Sequence, residues 1–114
     1  MLLNEINRIV NGRVVCGEAS LEKEVGHAFA SDLMSDVLTV KNDDFILITG
    51  LANIQAVRTA EMSDVSCLLL CRDKRATDEM VELARESGIV IIESPYSLFR
   101  CAGLLYQAGL KPVF

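Results

Sequence analysis

Four apolar segments recur along the chain at the intervals expected of strands that alternate with helices. The segments are VGHAFA, FILIT, VSCLLLC and IVIIE. The last three are apolar at almost every position, which indicates strands that are buried on both faces. Segments with helical spacing of apolar residues separate them. From Val25 to Leu110 we therefore predict β-α-β-α-β-α-β-α, an α/β fold with a mostly parallel sheet, helices on both faces and right-handed crossovers.

The last helix of this region has the strongest sequence signals. Its apolar residues recur at i, i+3, i+4 and i+7: Leu98, Cys101, Ala102 and Leu105. We predict that Ser94 caps its N-terminus, that Pro95 takes the first helical position and that Gly109 ends it. Upstream, the pattern predicts a helix over 2–10 and a short strand at RVVC, both packed onto the edge of the sheet. No linker or repeat interrupts the 114 residues, so we predict a single domain, 1–114.

Composition adds a constraint on how the domain is covered. Apolar residues make up 51% of the chain, which is high for a soluble domain. Either helices cover both faces of the sheet or an apolar patch is buried against a second subunit. The net charge of −5 argues against nucleic-acid binding. We find no segment long enough to span a membrane and no export signal, and we expect a cytoplasmic protein.

The four cysteines do not form a recognisable metal-binding or redox motif. They are Cys16, Cys67, Cys71 and Cys101. None forms a C-x-x-C pair, and Cys67 and Cys71 would share a strand face ~13 Å apart, too far to hold one ion. We predict buried thiols in a reducing compartment, with no metal and no cofactor.

Polar residues follow the ends of the predicted parallel strands, where ligands bind in open α/β sheets. The candidates for binding a small anionic metabolite or nucleotide are Ser31, Asp32, Thr49, Gly50, Asn53, Arg72 and Ser94. Each loop leads to a helix N-terminus, whose free N–H groups favour an anion. The alternative interpretation is structural, because Ser31 or Asp32, Asn53 and Ser94 are also good helix caps.

Catalytic signals are weak. The sequence contains no phosphate loop, dinucleotide fingerprint or nucleophile elbow. The remaining candidates for acid–base, nucleophilic or metal chemistry are His27, Asp32, Ser35 and Asp36. Asp32 and Asp36 would lie on one helix face, but Mg²⁺ needs further oxygen ligands nearby. We assign no catalytic residue, and an enzyme of phosphoryl or acyl chemistry is the least favoured alternative.

Three long stretches of the sequence resemble the DRTGG domain family: FASDLMSDVL, ILITGLANIQAVRTAEMSDV and ELARESGIVIIESPYSLFRCAGLLYQAGL. The resemblance extends from Leu2 to Leu110. It implies an α/β fold similar to the N-terminal domain of HPr kinase/phosphorylase, frequent dimerisation and a regulatory or ligand-sensing role. Such domains occur as regulatory inserts in CBS-domain pyrophosphatases and in some phosphotransacetylases.

The chain departs from the motifs that give that family its name. Leu51 and Ala52 replace the Asp-Arg pair, and residues 71–73 replace Thr-Gly-Gly. These changes weaken a carried-over ligand site and leave the scaffold intact. We therefore predict a non-catalytic regulatory or interaction module that forms a homodimer or docks on a partner enzyme. A sensor of a small anionic ligand is the alternative.

Overall fold

A computed structural model describes residues 1–114 and shows a six-stranded sheet with helices on both faces. The strands are β1 Arg13–Cys16, β2 His27–Ala30, β3 Phe45–Thr49, β4 Cys67–Leu70, β5 Val90–Glu93 and β6 Lys111–Pro112. The helices are α1 Leu3–Ile9, α2 Met34–Val37, α3 Ile54–Met62, α4 Asp78–Ser87 and α5 Leu98–Gln107. A 3₁₀ turn, Glu18–Ser20, follows β1.

The strand order is β1-β5-β4-β3-β2-β6, and every neighbouring pair is parallel except β1 with β5. From β2 to β5 the chain always steps in one direction across the sheet. Right-handed crossovers therefore place α2, α3 and α4 on the same face. After β5 the chain returns across the sheet to β6, which places α5 on the opposite face together with α1. The predicted mostly parallel α/β fold is confirmed.

Two apolar layers enclose the sheet. Along β3, Phe45 and Leu47 point to the layer under α2, α3 and α4, whereas Ile46 and Ile48 point to the layer under α1 and α5. All four side chains are buried. A strand that is covered on both faces needs apolar residues at successive positions, which explains why the pattern was continuous rather than alternating.

The N-terminal and C-terminal segments differ from the prediction. β1 lies at the sheet edge as predicted, but α1 packs on a face of the sheet with α5. β6 was not predicted, because its two residues, Lys111 and Pro112, show no strand pattern. It pairs with β2 through the N–H groups of Lys111 and Val113, which donate to Gly26 and Ala28.

Two helix starts were also predicted wrongly. Helix α5 begins at Leu98 and is capped by Ser97, so Pro95 precedes it and Ser94 is not the cap. Helix α2 begins after Leu33, so neither Ser31 nor Asp32 caps it with a side chain. The side chains of Ser94 and Asp32 instead bind Val10 and Thr49, outside these helices.

None of the five helices has the length and apolar character that crossing a membrane requires.

Candidate functional site

The loops that follow β2, β3, β4 and β5 lie side by side at one edge of the sheet, here called the carboxyl edge. Backbone hydrogen bonds continue the strand pairing into these loops. The N–H of Ser31 donates to Ile48, and the N–H of Cys71 donates to Thr49, each at 3.0 Å. The structure therefore brings the predicted ligand-binding residues to one edge, as parallel strands require.

Asp32 forms the tightest polar contacts of this edge. Its Oδ1 accepts hydrogen bonds from Thr49 Oγ1 and from the Gly50 N–H, both at 2.7 Å. The hydroxyl oxygen of Thr49 in turn accepts from the Leu51 N–H at 3.1 Å. The Asp32 carboxylate thus already occupies the hydrogen-bond donors at the end of β3 that an anionic ligand would otherwise use.

Ser31 and Asp36 do not join Asp32 in a metal site. The Ser31 hydroxyl accepts from the Leu33 N–H at 3.0 Å and closes a local turn. Asp36 lies in α2, whereas Asp32 precedes that helix, so the two carboxylates do not share a helix face. That prediction was wrong because α2 starts later than its sequence pattern indicated. No group of three His, Cys, Asp or Glu side chains clusters closely enough to hold a metal ion.

Asn53 has the structural role that capping predicts. Its side-chain oxygen accepts from the Ala56 N–H at 3.2 Å, which satisfies one of the free donors in the first turn of α3. This contact leaves the amide nitrogen of the exposed side chain available to solvent.

In the loop after β4, two backbone N–H groups point toward the loop after β5. Arg72 and Asp73 both have φ of 58°, in the left-handed region that non-glycine residues adopt at a cost of about 1 kcal/mol each. Their N–H groups donate to the carbonyl oxygens of Tyr96 and Ser94 at 2.7 and 3.0 Å. These two N–H groups are therefore not free to bind an anion, although the side chains of Arg72 and Asp73 are exposed.

The buried Ser94 side chain links the end of β5 to the C-terminal end of α1. Its hydroxyl donates to the carbonyl of Val10 at 2.7 Å and accepts from the Tyr96 N–H at 3.1 Å. Because the side chain is only 1% exposed, a ligand cannot reach it without opening the loop.

Glu93 was missing from the predicted site, although it is the most highly connected carboxylate of the edge. It is 3% exposed, and its Oε1 lies 2.6 Å from Arg13 and 2.9 Å from Arg75. Its Oε2 accepts from the Ala76 N–H at 2.8 Å. The sequence did contain a signal, because a carboxylate at the end of the buried run IVIIE needs partners.

The environment of Glu93 favours its ionised form. Burial raises the pKa of this carboxyl, but the hydrogen bonds from Ala76, Arg13 and Arg75 outweigh burial and hold the pKa below its ordinary value of 4.5. One buried carboxylate thus ties together β1, the end of β5 and the segment that leads into α4.

All four cysteines are buried free thiols. Cys67 and Cys71 belong to the same apolar layer, as predicted, and Cys101 of α5 belongs to it too. Burial raises the pKa of the Cys67 thiol well above its ordinary value.

His27 is distant from the predicted carboxylates. It is the first residue of β2, and its Nδ1 lies 3.7 Å from the carboxylate of Asp44 at the amino ends of the strands. Asp32 lies five residues further along an extended chain, ~16 Å away at 3.3 Å per residue. The two cannot act as an acid–base pair in this arrangement.

The most apolar concavity lies between α5 and the strands β2 and β6. It has a volume of about 280 Å³, and 10 of its 12 lining residues are hydrophobic. Its lining includes Ala28, Ala30, Ala102, Tyr106, Pro112 and Phe114. None of these was among the predicted site residues, because single apolar positions carry no motif.

Comparison with known proteins identifies the type of domain. The sequence model of the DRTGG domain family matches residues 5–108. No curated protein matches the chain. A similar solved structure contains the CBS and DRTGG domains of the regulatory region of Clostridium perfringens pyrophosphatase, complexed with the activator diadenosine tetraphosphate. The TM-score is 0.75 at 18% identity, over 96% of this chain and 47% of that chain. This chain therefore spans about half of that protein, and the likeness shows a shared fold.

Proposed function

The chain belongs to the DRTGG domain family, and from this membership we propose that it is a non-catalytic regulatory module that acts as a homodimer. The family match covers nearly the whole chain, so no separate catalytic domain lies within these residues. The structurally similar pyrophosphatase segment belongs to a regulatory region, which supports a regulatory role for a domain of the same fold.

The exposed apolar surface beside the concavity is the observation that carries the proposal of a dimer. Three aromatic side chains of α5 and the C-terminal segment are largely exposed: Phe99 at 87%, Tyr106 at 69% and Phe114 at 77%; the last two line the concavity. Phe114 packs edge-on against Phe29, with 5.7 Å between ring centroids. Aromatic residues are enriched at protein–protein interfaces, and contiguous exposed apolar patches often mark such interfaces.

The arrangement of the polar residues supports a non-catalytic role. His27 and Asp32 lie at opposite ends of β2, and the donors nearest Asp32 already bind its carboxylate. Neither a nucleophile with its base nor a cluster of metal ligands is assembled at the carboxyl edge.

Size-exclusion chromatography with light scattering tests the proposal directly. At tens of micromolar we expect a mass twice the 12.5 kDa of one chain. A mass of a single chain at every concentration up to that range would contradict the homodimer.

A second candidate function is a sensor of a nucleotide with several phosphates. The similar pyrophosphatase region was solved with diadenosine tetraphosphate. In this chain the side chains of Arg13, Arg72 and Arg75 are exposed at or beside the carboxyl edge, where they can meet phosphate oxygens. Of the predicted candidates, Asp32, Asn53 and Arg72 have exposed side chains, and Arg72 is the one with a positive charge.

A thermal-shift measurement with diadenosine tetraphosphate tests this second function. A ligand at 100 times its dissociation constant adds about 2.7 kcal/mol of stability, which raises the Tm of a domain of this size by roughly 10 °C. We expect Arg72→Ala to reduce the shift and Arg58→Ala, an exposed arginine of α3, to leave it unchanged. No shift with the wild-type chain at millimolar ligand would overturn the sensor function.

A further inference from the structure

Gly103 is an exposed glycine in the middle of α5 that nothing within the chain explains. A Cβ built at this position would meet no atom within 4 Å, and the residue does not have a positive φ. Every other glycine of the chain has either a positive φ or a neighbouring atom within that distance. Since glycine inside a helix is less favourable than alanine, its presence here reduces the stability of the isolated domain.

Gly103 lies at the centre of an exposed apolar stripe. Phe99 is four residues before it and Tyr106 is three residues after it, so the three residues share one helix face. Both aromatic side chains point away from the apolar layer that Cys101 and Leu105 occupy on the inner face. The outer face of α5 therefore presents a gap with an aromatic ring on each side.

We propose that this stripe, Phe99–Gly103–Tyr106, is the dimer interface, where α5 packs antiparallel against α5 of a second copy around a two-fold axis at Gly103. The inference rests on the homodimer proposed above and names its surface. In a two-fold interface the same surface meets itself, so a residue before the axis faces one after it. Phe99 of each copy then contacts Tyr106 of the other, and the two Gly103 backbones meet where a side chain would separate the helices.

The three exposed aromatic side chains supply about half of the area that such a dimer requires. At about 200 Å² for each fully exposed aromatic side chain, Phe99, Tyr106 and Phe114 together present roughly 450 Å². A stable interface takes about 800 Å² from each partner. A stable dimer therefore requires that neighbouring residues of α5 and of the C-terminal segment, such as Ala102 and Pro112, are also buried in the interface.

The charges of this region do not oppose self-association. Residues 95–114 contain no Asp or Glu, and Arg100 is the single charged residue of α5. Its guanidinium lies 3.6 Å from the centroid of the Tyr96 ring, which holds it near the start of the helix. In the antiparallel arrangement the two Arg100 side chains therefore lie on opposite sides of the axis, apart from one another.

Disulfide crosslinking of Gly103→Cys tests the position of the axis. A residue on a two-fold axis faces its own copy, within the Cα separation that a disulfide tolerates. The four native thiols are buried, so mild oxidation with diamide should act on the introduced thiol. We expect most of the Gly103→Cys chain to become a covalent dimer. Glu86→Cys, at an exposed position of α4, is the matched control and should remain a monomer on a denaturing gel.

A second variant separates this inference from the proposed function. Gly103→Leu adds a side chain at the axis, at an exposed position where a Cβ meets no atom of the chain within 4 Å. We expect its dissociation constant to rise at least tenfold over the wild-type chain. A wild-type dimer that neither crosslinks through Gly103→Cys nor weakens in Gly103→Leu would overturn the α5 interface and leave the homodimer standing. A wild-type monomer would overturn both.

Discussion

The carboxyl edge and the outer face of α5 differ in whether their side chains have partners within the chain. At the carboxyl edge Asp32, Ser94 and Glu93 all receive or donate hydrogen bonds at 2.6–3.1 Å. On α5, Phe99 and Tyr106 are largely exposed, and Gly103 has empty space above it. Polar residue types led the sequence interpretation to the first region. The groups without internal partners lie in the second.

This difference indicates which region is structural and which is available for binding. A buried polar group that already has its partners mainly stabilises the fold, and a ligand must displace those partners to use it. An exposed aromatic residue gains free energy only when something covers it. The following predictions test each side of the comparison, beginning with the largest effect.

Glu93→Ala should cause the largest loss of stability. The substitution removes a buried carboxylate and leaves the Ala76 N–H without its partner, while Arg13 and Arg75 regain water because they are mostly exposed. We expect the free energy of unfolding in urea to fall by about 3 kcal/mol. Glu86→Ala, an exposed glutamate of α4, should change it by less than about 0.5 kcal/mol. A similar small effect at both positions would show that the Glu93 network is not stabilising.

The Glu93 network should also make stability depend on pH. Because the pKa of Glu93 is lower in the folded state than its ordinary 4.5, its contribution is present above that value and is lost as the pH falls below it. The difference in unfolding free energy between the wild-type chain and Glu93→Gln should therefore shrink from pH 6 towards pH 3. A constant difference across that range would contradict the charged network.

Asp32→Ala should destabilise the chain by a smaller amount. It removes two hydrogen bonds of 2.7 Å to Thr49 and Gly50, but Asp32 itself is exposed, so water can enter its place and replace part of them. We expect a loss of about 2 kcal/mol in urea unfolding. If Asp32 instead serves a ligand, Asp32→Ala will keep wild-type stability and change only the response to added nucleotide.

Gly103→Ala should have the smallest effect on the free energy of unfolding, and it should raise this free energy where the substitutions above lower it. Alanine at this exposed helical position should increase the stability of the monomer by about 0.5–1 kcal/mol. The added methyl group should at the same time weaken dimerisation. Chemical unfolding measured at low and high protein concentration separates the two effects. A destabilised monomer would mean that Gly103 has a structural role within the chain.

Periodicity and strand burial predicted the fold because both faces of the sheet are covered by the chain's own helices. Continuous runs such as FILIT predicted β3, β4 and β5, whereas the order of the strands was not predicted, because it depends on pairing between segments that are distant in the chain. Strand β6 was missed because its pairing depends on the position of β2 rather than on its own two residues.

The candidate site was less predictable, since cap and ligand residues have the same chemistry. Asn53 is a cap as its type indicates, whereas Ser94 has a buried tertiary partner, Val10, that no local pattern contains. Glu93 had a signal, a charge within a buried run, that points to tertiary partners without identifying Arg13 or Arg75. The exposure of Phe99 was not predictable, because helical spacing alone does not show which apolar side chains the sheet leaves uncovered.

The mass of two double variants, measured by light scattering at tens of micromolar, tests the central claim most directly. Phe99→Ser with Tyr106→Ser removes the aromatic residues of α5. Leu33→Ser with Leu38→Ser removes exposed apolar residues beside α2 and is the matched control. We predict 12.5 kDa for the α5 variant and twice that mass for both the control and the wild-type chain. An α5 variant that keeps the dimer mass, or a dimer lost only in the α2 variant, would contradict the account.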